Sequence, residues 1–130
     1  MAVPTEGAAS MTVFDPSTLH QLVDDPTQRP FVLELAGTFR RMLRGRVDRV
    51  VGAVLAPEAD PEESMDAVLS LKVSATMTGA RELAELASYL EADLRHQDLP
   101  AARSQAMMLP PAADRAGAAI DAYLASVAVA

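Results

Sequence analysis

Apolar residues recur along this chain at steps of three and four, the spacing of helices with one buried face. The most regular stretch runs from about Gln28 to Leu55. There Val32, Leu35, Phe39, Met42/Leu43, Val47, Val50 and Val54 fall on one stripe and predict a long helix. Pro30 sits in its first turn, where the missing N–H is tolerated. Upstream, Asp15-Pro16 is a helix-start signal, N-cap followed by proline. A short helix over 16–24 is expected, with Leu19, Leu22 and Val23 apolar and Asp24, Asp25 and Pro26 closing it. Residues 1–14 lack periodicity and read as a flexible leader, so the domain is placed at 15–130.

Asp60-Pro61-Glu62-Glu63 repeats the start signal, with an acid at the capping-box position. The helix it opens is expected to end near Thr78, with Gly79 as the left-handed residue beyond it. A further helix follows from Ala80 to about Arg95, with Leu83, Leu86/Ala87, Leu90 and Leu94 on one stripe. Leu99–Met108 is helix-compatible, Pro110-Pro111 predicts a break or kink, and Ala112–Val127 is helical again through Ala116, Ile120, Tyr123 and Val127. These elements predict an all-α fold. The expected arrangement is an antiparallel four-helix bundle with a short N-terminal helix packed across one end.

Composition agrees. Of 130 residues, 25 are alanine and only 4% are aromatic, which favours helix over strand. A net charge of −7 argues against a general nucleic-acid binder, which needs a basic face. No apolar run reaches the ~18–20 residues of a membrane span. The opening MAVPTEGAAS has neither the basic segment nor the apolar core of a signal peptide, so a cytoplasmic protein is expected. There is no cysteine, and the two histidines, His20 and His96, lie on separate elements, so no metal site is expected. With no glycine-rich phosphate loop and no hydrolase triad, neither an enzyme nor a cofactor is expected. Arg40, Arg41, Arg44, Arg46 and Arg49 spread around the long helix and read as a solvated, ion-paired face; the functional alternative is a rim that greets an acidic partner. Met77, Met107 and Met108 read as core filler.

The helix from Asp60 to Thr78 is apolar on more than one side. Leu71 and Ala75 are its natural core residues, yet Leu69 and Val73 stand four apart on an adjacent face, with Met65 one turn earlier and Lys72 beside them. So broad an apolar arc belongs either to a deeply packed helix or to one with a second contact surface.

The stretch Ala67-Val68-Leu69-Ser70-Leu71-Lys72-Val73-Ser74-Ala75-Thr76-Met77-Thr78-Gly79-Ala80 resembles the signature of histidine-phosphotransfer (HPt) domains. That signature is His-x-x-Lys-Gly, then small residues, then a Gly-Ala opening the next helix. Lys72, the chain's single lysine, falls on the family's lysine, and Gly79 and Ala80 fall on its Gly-Ala. Leu69 stands at the phosphoaccepting histidine's position and Val73 at the glycine's. A leucine has no lone pair with which to attack a phosphoryl group. The resemblance, over roughly residues 16–125, therefore implies a pseudo-HPt protein of a two-component phosphorelay. Such a protein would bind a response-regulator receiver domain or a histidine kinase without accepting phosphate. The implied partner-binding residues are Met65, Leu69, Lys72, Val73 and Thr76, with Gly79 and Ala80 structural. The alternative is a helical adaptor that homodimerises through the same face. Phosphotransfer through His20 or His96 is the least favoured reading, since neither has the lysine-and-small-residue context.

Overall fold

The computed structural model describes residues 12–21 and 26–129, and within them the chain is helical, with no strand. We label the helices α1 (Ser17–His20), α2 (Arg29–Leu55, entered through a 3-10 turn at Pro26–Gln28), α3 (Pro61–Thr78), α4 (Arg81–Arg95), α5 (Leu99–Met107) and α6 (Leu109–Val129). Five helices pack against one another: α3 lies against α2 and α4, α2 also meets α5 and α6, and α4 also meets α5 and α6. Leu22, Val23, Asp24 and Asp25, expected to complete the first helix, lie outside the described residues, as does the leader before residue 12.

α3 and α5 begin at capping aspartates. Asp60 caps α3 by accepting from the backbone N–H groups of Glu62 (2.9 Å) and Glu63 (3.3 Å), satisfying donors that would otherwise be orphaned. The Glu63 carboxylate, rather than closing a capping box, accepts from Arg49 of α2. Asp98 caps α5 through Ala101 N–H at 3.1 Å. The carbonyls at the end of α2 are met from across the fold: the Arg103 guanidinium donates to the oxygens of Val54 (3.2 Å) and Ala56 (2.8 Å).

The break in the last third falls at Met108 and not at the two prolines. Pro110 and Pro111 occupy the first turn of α6, where backbone N–H groups have no partner within the helix and proline's lack of one is harmless. The expected break is therefore present as two separate helices, but it falls at Met108, and the second helix starts at Leu109 instead of Ala112.

The main core joins bulky residues of α2 to small ones of α5 and α6. Phe39, Leu43, Val47, Val50 and Val54 meet Leu71 and Ala75 of α3, Leu83, Leu86 and Leu90 of α4, and Ala102, Ala106, Ala112, Ala113, Ala116 and Ile120. Alanines let α5 and α6 approach closely, and a fully buried leucine such as Leu71 contributes about 2 kcal/mol by leaving water. On α2, Ala36 rather than Leu35 is fully buried, and Met42 is 42% exposed while its neighbour Leu43 is buried. The buried stripe is thus the predicted one with Ala36 in place of Leu35 and with Leu43 taking the position shared with Met42. A second cluster of Leu19, Val32 and Ala36 is edged by Phe14, Tyr123 and Leu124. Phe14 meets the Tyr123 ring edge-on at 5.6 Å, so packing already includes residues just before Asp15.

Among the described residues two lie in the left-handed region, each at a helix end. Gly79 (φ 96°) ends α3, and its carbonyl accepts from Asp15 N–H at 2.7 Å. A Cβ there would stand 2.4 Å from the Asp15 carbonyl oxygen. Gln97 (φ 57°) follows α4 in a Schellman closure, with Asp98 N–H bonding the Asp93 carbonyl at 2.9 Å. Substitution should act in opposite directions at the two sites. Gly79→Ala should lower stability by about 1–3 kcal/mol through strain and the lost seat for Asp15. Gln97→Gly should raise it by up to about 1 kcal/mol. Urea denaturation of the two variants checks both signs.

Candidate functional site

The residues singled out on α3 lie together along its outward side, but they are not equally available. Val73 is 55% exposed and Thr76 is exposed, whereas Met65, Leu69 and Lys72 are half-buried. The buried side of the same helix is Ser64, Ala67, Val68, Leu71, Ala75 and Thr78. Leu69 and Val73 project from the side opposite this core, as their helical spacing requires. The broad apolar arc is therefore core on one side and surface on the other.

Lys72 is turned toward α4. Its ammonium donates to Glu91 Oε1 at 2.7 Å, and the other oxygen of that carboxylate accepts from Arg95 at 2.6 Å. Glu91 is 12% exposed, so this is a well-shielded carboxylate between two cations. The Lys72 hydrogen bond, followed by that of Arg95, holds the Glu91 carboxyl below the ordinary glutamate range. Instead of standing free at the edge of the face, the lysine is committed to a structural ion pair.

Beyond Thr76 the face runs into an open groove of about 580 Å³ between the Asp15–Gln21 segment and α4. Thr18, Thr76, Glu85, Ser88 and Tyr89 line it. Its acidic groups are occupied: Asp15 accepts from Ser17 and Arg81, and Glu85 accepts from the Tyr89 hydroxyl at 2.8 Å. The hydrogen bonds from Ser17 hold the Asp15 carboxyl below its ordinary value.

On the other flank the surface has a feature the periodicity did not reveal. Met77 (57% exposed) and Met42 of α2 border a shallow groove with Leu35, Thr38 and Arg46. Met77, Met107 and Met108, read from sequence as core filler, are all more than half exposed. Unbranched methionine fits either setting, so its position on the helix, and not its type, carried the signal.

Of the five arginines expected to form an ion-paired face on α2, three do so. Arg40 binds Asp121, Arg44 binds Asp114, and Arg49 binds both Glu63 and Asp66. Arg40 also lies directly over Gly117, where a Cβ would stand 2.8 Å from its guanidinium carbon. Neither histidine is free-standing: His20 Nε2 is 3.1 Å from the Tyr123 hydroxyl, and His96 Nδ1 is 2.8 Å from the Ala92 carbonyl oxygen at the end of α4. Among the described residues no helix is long and apolar enough to cross a membrane.

No family model matches the chain, and no curated protein or solved structure shows significant similarity to it.

The Glu91 pair yields a pH prediction. Because its carboxyl titrates lower when folded than when unfolded, its contribution is present above about pH 4.5 and is lost as pH falls through the folded value. Glu91→Gln should therefore lose stability near neutral pH and show a shallower decline on acidification than the parent chain. Urea midpoints measured from pH 6 down to about pH 3 report both effects.

Proposed function

We propose that this chain is a non-catalytic, HPt-like signalling module that binds a receiver domain or histidine kinase through the Leu69/Val73 face of α3. In this reading α2, α3, α4 and α6 form the antiparallel four-helix bundle of that family, α5 is the bridge before the last helix, and α1 caps one end. The observation that carries it is Val73, a β-branched apolar side chain 55% exposed at the centre of the motif-bearing helix. Leu69 stands half-buried one turn before it, where a phosphorylatable histidine would be required.

The charge arrangement supports binding without chemistry. A phosphoryl group arriving at this face would meet a leucine in place of a nucleophile, and a lysine already neutralised by Glu91. The Gly79 turn and the buried Ala80 fit the structural part of the motif, since the left-handed residue and the tight start of α4 are both present. The protein would occupy a partner's docking surface and so compete with, or modulate, phosphotransfer by active modules.

Calorimetric titration against receiver domains and histidine-kinase domains from the same organism tests this. The expected result is binding to one of them at about micromolar Kd, abolished by Val73→Glu and by Leu69→Glu. Val73→Glu is the cleaner variant, because an exposed site leaves the helix intact, as an unchanged circular dichroism spectrum will show. Absence of binding to every domain overturns the reading. A concentration-dependent dimer that Leu69→Glu dissociates would then establish the homodimeric adaptor.

A further inference from the structure

Arg46 differs from Arg40, Arg44 and Arg49 on the same helix. Arg40, Arg44 and Arg49 each reach a carboxylate on a neighbouring helix. Arg46 reaches none: its Nη1 donates to Ser70 Oγ at 2.6 Å, its Nη2 lies 3.9 Å from Met42 Sδ, and its buried Nε has no partner. The Nε of this half-buried guanidinium has given up water without gaining an acceptor, and the hydroxyl and thioether at its other nitrogens carry no counter-charge. This happens in a chain of net charge −7, where carboxylates are plentiful.

The surroundings of Arg46 are apolar and open. It lines a groove of about 140 Å³ between α2 and α3, together with Leu35, Met42, Ser74 and Met77. Met42 and Met77 are 42% and 57% exposed, and their flexible thioethers can reshape around an incoming side chain. Phe31 continues the apolar edge of α2 at 63% exposure. At the rim, Arg41 donates to Thr38 Oγ1 at 3.1 Å and likewise pairs with no carboxylate. The groove thus combines apolar walls with positive charge that no carboxylate among the described residues pairs.

We propose that the α2–α3 groove is a docking site for an acidic amphipathic helix of a partner protein. A carboxylate of that helix meets Arg46, and its apolar side chains cover Met42 and Met77. A furrow between two helices accepts a third helix through side chains at three- and four-residue spacing. The carboxylate completes the guanidinium's interactions in a setting shielded from water, where such a pair discriminates strongly between partners. The proposal goes beyond receiver docking on the Leu69/Val73 face and does not depend on it.

The test uses three synthetic helical peptides of about 18 residues with one apolar seam, carrying Glu, Gln or Lys beside it. Each is titrated into the full chain labelled at the methionine methyls. The Glu peptide should shift the Met42 and Met77 methyl signals and bind at least about tenfold more tightly than the Gln peptide, with the Lys peptide weakest. Arg46→Gln should bring the Glu peptide's affinity down to that of the Gln peptide and leave the latter unchanged. Equal affinities for the three peptides, no binding, or shifts confined to Met107 and Met108 would overturn the proposal. So would concentration-dependent broadening of Met42 and Met77 without peptide, which would assign the groove to a second copy. None of these outcomes bears on receiver binding, which the Val73→Glu titration reads separately.

Discussion

The turn at Gly79 sets what each side of α3 can do. With φ at 96°, the glycine stops α3 and turns the chain into α4 across the buried Ala80. The same residue's carbonyl seats Asp15, whose side chain then holds Ser17 and Arg81. One left-handed position therefore joins the N-terminal segment, the end of α3 and the start of α4. A side chain there would collide with backbone, which cannot move aside as a flexible side chain can. Once α3 and α4 are fixed in this way, Leu71 and Ala75 face the core and Val73 faces outward.

Burial supplies the driving force, and polar pairs choose the alignment. The alanines of α5 and α6 contribute little apolar area each, but they allow close approach to the large side chains of α2. Arginines then link the helices: α2 to α3 through Arg49, α2 to α6 through Arg40 and Arg44, and α4 to α6 through Arg115 and Glu82. Exposed pairs of this kind add about 1 kcal/mol at most. They nonetheless favour one relative placement of the helices, because a shift along the axis would separate several pairs together.

Two cations near the motif-bearing helix show how such economy separates structure from binding. Lys72 has a shielded carboxylate and belongs to the packing of α3 on α4. Arg46, on the opposite flank, has a serine hydroxyl, a thioether and an unpartnered nitrogen. Desolvation penalises both, but only one is compensated inside the chain. That contrast, with exposed Val73, Met42 and Met77 between and beside them, is what the proposed recognition surface on the outer side of α3 rests on.

How much of this was legible beforehand depended on how local the cause was. The helix start at Asp60, the left-handed end at Gly79 and the stripes of α2 and α4 follow from backbone sterics, orphaned N–H groups and a 3.6-residue period, all acting within a few residues. The helical class and the outward placement of Val73 were therefore written in the sequence itself. The position of the last break was less so, because proline is permitted throughout a first turn and Met108 has no breaking character of its own. Partner choice was not legible at all. Whether Lys72 stands free or meets Glu91, whether Arg46 finds a carboxylate, and whether Met42 and Met77 are core or surface depend on residues far apart in the chain. Periodicity determined which side of each helix is apolar; only the packing of the helices on one another decided which of those sides stayed covered and which charges were left without a counter-charge.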